Sequence, residues 1–115
     1  MGTFDLEERT TKFAKLVIQL CKDLPRDAIN ARLVTQVVGS AGSVGANYRE
    51  ANDALGKKDF IQRLKISRRE AKESLHWLDL ILEANATYKP TIQPLVKEAE
   101  ELKKILSAII NKVES

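Results

Sequence analysis

Apolar residues recur three and four positions apart through four stretches of this chain, and Pro25, Gly56 and the pair Pro90 and Pro94 divide them. That rhythm sets one side of an α-helix against a core and does not match the two-residue alternation of a half-buried strand. A first helix is expected from about Leu6 to Leu24, on Leu6, Phe13, Leu16, Val17, Leu20 and Leu24, after which Pro25 disfavours continuation. A second, about Asp27 to Ala54, gathers Leu33, Val37, Ala41, Val44, Tyr48, Ala51 and Leu55 into one arc, and Gly56 closes it. A third, about Lys58 to Asn85, places Ile61, Leu64, Arg68, Ala71, Leu75, Leu78 and Leu82 on a heptad seam broken only by Arg68. The segment from Ala86 to Pro94 reads as a loop or a short helical turn. Beyond it a fourth helix repeats the seam with Leu95, Ala99, Leu102, Leu106, Ile109 and Val113.

Short connections make sequential helices antiparallel, so the expected fold is all-α, a left-handed, up-down-up-down antiparallel four-helix bundle. At 115 residues the whole chain, 1–115, is expected to form one domain, and its low aromatic fraction of 5% agrees with helix over sheet. Cys21 is the single cysteine, so no disulfide can form within the chain; lying among Leu16, Val17, Leu20 and Leu24, it reads as a small buried hydrophobe. The N-terminal region carries Asp5, Glu7 and Glu8 in place of a basic start and an apolar run. No segment reaches the roughly 18 uninterrupted apolar residues of a membrane span. The expectation is a cytoplasmic protein with no membrane partner.

Gly39, Gly42 and Gly45 each cost about 1 kcal/mol against alanine inside a helix. With Ser43 and Ala46 they make a flat strip beside the core arc, which suggests close approach of a second helix. A phosphate-binding loop is excluded because no Gly-Lys-Ser/Thr ending and no strand accompany these glycines. Ala41-Gly42-Ser43-Val44-Gly45 has alanine where a nucleophile elbow needs its first glycine, and it lies mid-helix where no sharp turn exposes the serine. Glu73 and His76 form one Glu-x-x-His pair, but a di-metal bundle needs two such pairs and two further glutamates, and this chain has one histidine. Apart from zinc shared between subunits, no metal, cofactor or catalytic residue is indicated.

Two other faces of the third helix carry information. Ile66, Trp77 and Ile81 lie roughly opposite Leu64, Leu75 and Leu82, and are expected to face water unless oligomerisation covers them. Lys58, Lys65, Arg69, Lys72 and His76 fall close to one line on the helical wheel. Between Lys57 and Lys72 seven basic residues oppose only Asp59 and Glu70, a local charge of +5 in a chain whose total is +3. Pairing four residues apart explains this stripe poorly, since Lys65 and Arg69 repel while Arg69 and Glu73 attract. A concentrated positive line of this kind suits a phosphate backbone.

The run Ser43-Val44-Gly45-Ala46-Asn47-Tyr48-Arg49-Glu50-Ala51, then Lys58-Asp59-Phe60-Ile61, then Glu70-Ala71-Lys72-Glu73-Ser74-Leu75-His76-Trp77-Leu78 resembles the S23 family of four-helix bundle proteins, the 23S rRNA intervening-sequence proteins. Ser43, Asn47, Glu50 and Glu73 match polar positions of that pattern. The resemblance implies a ring of five protomers. It also implies kinship with accessory variability proteins of diversity-generating retroelements, which act beside a reverse transcriptase and bind nucleic acid. The expected function is therefore a non-enzymatic, ring-forming bundle that binds RNA or DNA through Lys58, Lys65, Arg69, Lys72 and His76. The alternative is a protein-protein scaffold or accessory subunit, with a protein such as a reverse transcriptase as partner and no affinity for nucleic acid.

Overall fold

The computed structural model describes residues 5–115, which form α1 (Leu6–Asp23), α2 (Ala28–Asn52), α3 (Lys57–Ala84), a 3₁₀ turn (Ala86–Tyr88) and α4 (Lys89–Glu114). Each helix contacts the helix before and after it, α4 closes back on α1, and no diagonal pair meets, which is the four-helix bundle with neighbours antiparallel. The body measures 45 × 27 × 20 Å, so its long axis is set by α3 at about 42 Å.

Local chemistry fixes the helix ends. Asp5 caps α1 by accepting from Glu8 N at 3.2 Å, and Asp27 caps α2 by accepting from Asn30 N at 2.8 Å. The segment from Ala86 to Pro94, expected as a loop or a short helical turn, is helical throughout: the 3₁₀ turn Ala86–Tyr88 separates α3 from α4, and Pro90 sits in the first turn of α4. First-turn N–H groups have no partner within the helix, so proline is tolerated there. Pro94 lies one turn further in and on the exposed side, where the carbonyl its ring leaves without a donor can be solvated.

Phe13, Val17 and Leu20 of α1, Val37 and Val44 of α2, Leu64, Leu78 and Ile81 of α3, and Ile92, Leu102, Leu106 and Ile110 of α4 are almost wholly buried. Several expected core positions are not. Leu16 is 44% exposed and Leu55, on the turn between α2 and α3, is 99% exposed. The buried line of α3 runs Leu64, Ser67, Ala71, Ser74, Leu78, Ile81 and Asn85, while Leu75 and Leu82 are only half-buried. Arg68, the interruption in the expected seam, is half-buried and donates from Nη1 to Ser107 Oγ at 3.3 Å. The inward face of α3 is thus turned about 60° from the apolar heptad, because two serines belong to it.

Those serines serve the α2–α3 contact, the most extensive in the bundle. Ser67 Oγ donates to the Val44 carbonyl at 2.7 Å and Ser74 Oγ donates to Ser40 Oγ at 3.0 Å. At the far end Asn30 Nδ2 donates to Asn85 Oδ1 at 3.0 Å, and Asn85 Nδ2 donates back to Asn30 Oδ1 at 2.9 Å. Every buried side-chain nitrogen or oxygen among the described residues has a partner, so these groups set register without an orphaned dipole. Across the bundle Arg9 forms a two-pronged contact with Glu98, Nε to Oε2 at 2.7 Å and Nη2 to Oε1 at 2.8 Å, which raises the guanidinium pKa and ties α1 to α4.

The glycine strip of α2 divides in two. A Cβ on Gly45 would stand 3.0 Å from Thr10 Oγ1, so α1 and α2 approach closely there, whereas Cβ atoms on Gly39 and Gly42 would meet nothing within 4 Å. Thr10 is fully buried and its hydroxyl donates to the Leu6 carbonyl at 2.9 Å, so it has little freedom to yield. Gly45→Ala is therefore expected to lower stability by about 1 kcal/mol in spite of better helix propensity, and Gly42→Ala to raise it by about 0.5–1 kcal/mol. Urea unfolding of both variants checks this; a loss at position 42 would show that a further surface covers that face.

Candidate nucleic-acid interface

The 60° turn of α3 decides which of its faces points outward. With Ser67, Ala71, Ser74 and Ile81 inside, the line opposite them carries Lys58, Lys65, Arg69, Lys72 and His76, and all five are exposed. At 1.5 Å per residue the line from Lys58 to His76 is about 27 Å long. Lys58, Lys65 and Lys72 stand seven residues apart, and Arg69 and His76 repeat the same interval four residues later.

Few anions neutralise these side chains. Lys65 Nζ lies 3.1 Å from Glu114 Oε2 at the end of α4, and Arg69 Nε lies 3.9 Å from Glu70 Oε2. Lys58, Lys72 and His76 make no ion pair within the described residues. Lys65 and Glu114 are both exposed and Arg69 is exposed beside a half-buried Glu70; contacts of this kind at the surface contribute about 0–1 kcal/mol and yield readily to a competing anion. Sequence reasoning missed Glu114, and nothing in the local pattern marks it, because only the antiparallel pairing of α3 and α4 brings the two ends together. The His76 ring meets Trp77 edge-on, with centroids 4.8 Å apart and planes at 67°. The other basic groups of the segment point elsewhere: Arg63 Nε is 3.9 Å from Asp59 Oδ1 and Arg68 turns toward α4. No charge falls between Leu33 and Tyr48 of α2.

The polar positions Ser43, Asn47, Glu50 and Glu73 are only partly gathered. Ser43 and Glu73 border one outer cleft of about 260 Å³ between α2 and α3, together with Glu70, Trp77, Gly39 and Gln36. Asn47 is occupied within its own helix, where Nδ2 donates to the Ser43 carbonyl at 2.9 Å, and Glu50 is exposed. The expected water-facing patch of Ile66, Trp77 and Ile81 also needs correction. Ile81 is fully buried in the core, Trp77 is half-buried against it beside α2, and Ile66 is half-buried, since the turn of α3 carries that edge inward.

Cys21 borders an apolar cleft with Leu24, Ala31 and Val34 where α1 meets α2. It is half-buried, and burial pushes its thiol up to about 11. Among the described residues no group of three or more His, Cys, Asp or Glu gathers as a metal site would require, and no helix is long and apolar enough to cross a membrane.

A family model described as 23S rRNA-intervening sequence protein matches residues 3–108. The fold is similar to a solved structure from Bacteroides thetaiotaomicron, described as a protein with unknown function from the S23 ribosomal protein family. That match has a TM-score of 0.81 and 27% identity, and covers 92% of this chain and 98% of the other. No curated protein matches.

With its pKa near 11, Cys21 holds on the order of a thousandth of its population as thiolate at pH 8. Alkylation by iodoacetamide at that pH is expected to run about a hundredfold slower in the folded protein than in denaturant, because each pKa unit is a factor of about ten in thiolate. Equal rates in the two states would show that the thiol is not held protonated by the fold.

Proposed function

The chain belongs to the 23S rRNA-intervening sequence protein family, and from the charge layout of α3 we propose that it is a non-enzymatic protein that binds nucleic acid by its phosphate backbone. The supporting observation is the outward line of Lys58, Lys65, Arg69, Lys72 and His76, in which Lys58 and Lys72 have no anion of their own among the described residues. A folded chain of net charge +3 that concentrates +5 within sixteen residues carries an electrostatic cost, and a polyanion that releases its counterions on contact offsets it. Long cationic side chains along a helix bind phosphate without reading base edges, so affinity follows charge more than sequence.

The same reading includes self-assembly. The S23 resemblance supplies a closed ring of five, in which each protomer's stripe recurs about the symmetry axis and several weak contacts act together. Half-buried Ile66 and Trp77, and the open side of Gly39 and Gly42, are the surfaces such a neighbour would cover.

Fluorescence anisotropy with labelled RNA and DNA across a salt series tests the proposal. Four phosphate contacts per protomer predict about a 10²-fold loss of affinity between about 50 and about 200 mM salt. Lys65→Glu, Arg69→Glu, Lys72→Glu in one chain is expected to abolish binding while helicity and oligomeric state persist. Absence of binding by the wild type at low salt would refute the proposal and favour a protein-facing role for the stripe.

A further inference from the structure

The stripe runs along one uninterrupted helix and is almost without rings, and those properties bear on what kind of nucleic acid suits it. We infer that the outward cation line of α3 accepts a double-stranded nucleic acid in preference to a single strand; this rests on the backbone-binding reading above.

The first reason is spacing. Lys58, Lys65 and Lys72 stand about 10.5 Å apart along a single uninterrupted helix, and Arg69 stands on the same line about 6 Å beyond Lys65 and about 4.5 Å before Lys72. In a duplex the two phosphate rows are held apart by the grooves, about 12 Å across the major groove and about 6 Å across the minor groove of the B form. Lysine stems absorb the residual difference of an ångström or two by rotamer changes. The helix backbone and the duplex are then both preorganised, and the freedom given up on contact is that of the lysine and arginine side chains.

The second reason is that the described residues offer no stacking platform. Proteins that hold single strands without reading sequence combine a cationic track with aromatic faces on which successive bases stack. Here Phe13 is fully buried, and Tyr48, Phe60, Trp77 and Tyr88 are half-buried and lie off the stripe. His76 is the one ring on the line, and Trp77 lies against it edge-on. A single strand laid along about 27 Å of α3 would be straightened, losing conformational freedom, with no stacking to offset the loss. A duplex already hides its bases, so the missing aromatics cost it nothing.

The third reason is shape. The stripe lies at the crest of α3, opposite the buried line, and not inside a channel. A crest can rest against the regular rows of a duplex, whereas single strands are commonly held in grooves.

The test is a competition at fixed salt among a labelled 24-mer single strand, the same 24-mer as DNA duplex and the same length as RNA duplex, using the full chain. At least about tenfold tighter binding of either duplex than of the single strand is expected, and the two duplex arms show which backbone geometry is preferred. Equal or tighter binding of the single strand overturns this inference and leaves the backbone-binding reading standing. Failure of all three probes to bind overturns that reading and this inference with it. A gain-of-function variant probes the stacking argument separately. Gln62 is exposed within the stripe, between Lys58 and Lys65, and Gln62→Trp is expected to raise single-strand affinity about tenfold and so narrow the duplex preference. No gain in that variant, with helicity retained, would show that lack of a stacking ring is not what disfavours single strands.

Discussion

The seam between α2 and α3 sets the rest of the molecule. It is built from small and hydroxylated residues, Ser40, Ala41 and Val44 against Ser67, Ala71 and Ser74, with the Asn30–Asn85 pair at one end. Small side chains let the two helices pack more extensively than any other pair, and the contacts Ser67–Val44, Ser74–Ser40 and Asn30–Asn85 form together in one register. A leucine-only seam would have allowed α3 to slide or turn with modest loss, because apolar contact is non-directional. The amide and hydroxyl pairs remove that freedom, since a displaced partner leaves a buried dipole costing about 1–3 kcal/mol.

The surface follows from this constraint. Once Ser67 and Ser74 face inward, Ile81 enters the core, Trp77 closes over the outer edge of the α2–α3 contact, and the cations from Lys58 to Lys72 stand at the crest. Had the apolar heptad of Ile61, Arg68, Leu75 and Leu82 faced the core instead, Trp77 and Ile66 would occupy the crest and the cations would lie on its flank. The polar pairs in the interior and the charge on the exterior are therefore two sides of one rotation about the α3 axis. α1 plays the smaller part: it packs its backbone against Gly45 through Thr10 and is tied to α4 by Arg9 and Glu98.

The sequence was legible wherever its signal was periodic or steric. Four helices, their order and most of the buried residues of α1 and α4 can be read from spacing, and so can the break at Pro25. Pro90 misleads because proline is also at home in the first turn of a helix, so a helix start resembles a loop, and Pro94 because it is tolerated one turn further in on the exposed side. Leu16 and Leu55 mislead because hydrophobicity is necessary for burial and not sufficient: Leu55 lies on a turn with nothing packed over it. The stripe itself was visible as five basic positions near one line of the wheel, while the carboxylate of Glu114 beside Lys65 was not, being a contact between residues 49 positions apart.

By itself, then, the sequence determined that this chain forms four helices, that they pack as an antiparallel bundle, and that α3 carries a concentrated positive line, because periodicity, turn chemistry and charge are all local along the chain. Tertiary structure alone decided which of the two overlapping seams of α3 faces α2. Counting apolar residues assigns serine to the outside, whereas Ser67 is buried on the Val44 carbonyl of α2, and Ser74 beside the Ser40 hydroxyl with the Glu70 carbonyl of its own helix as a second acceptor.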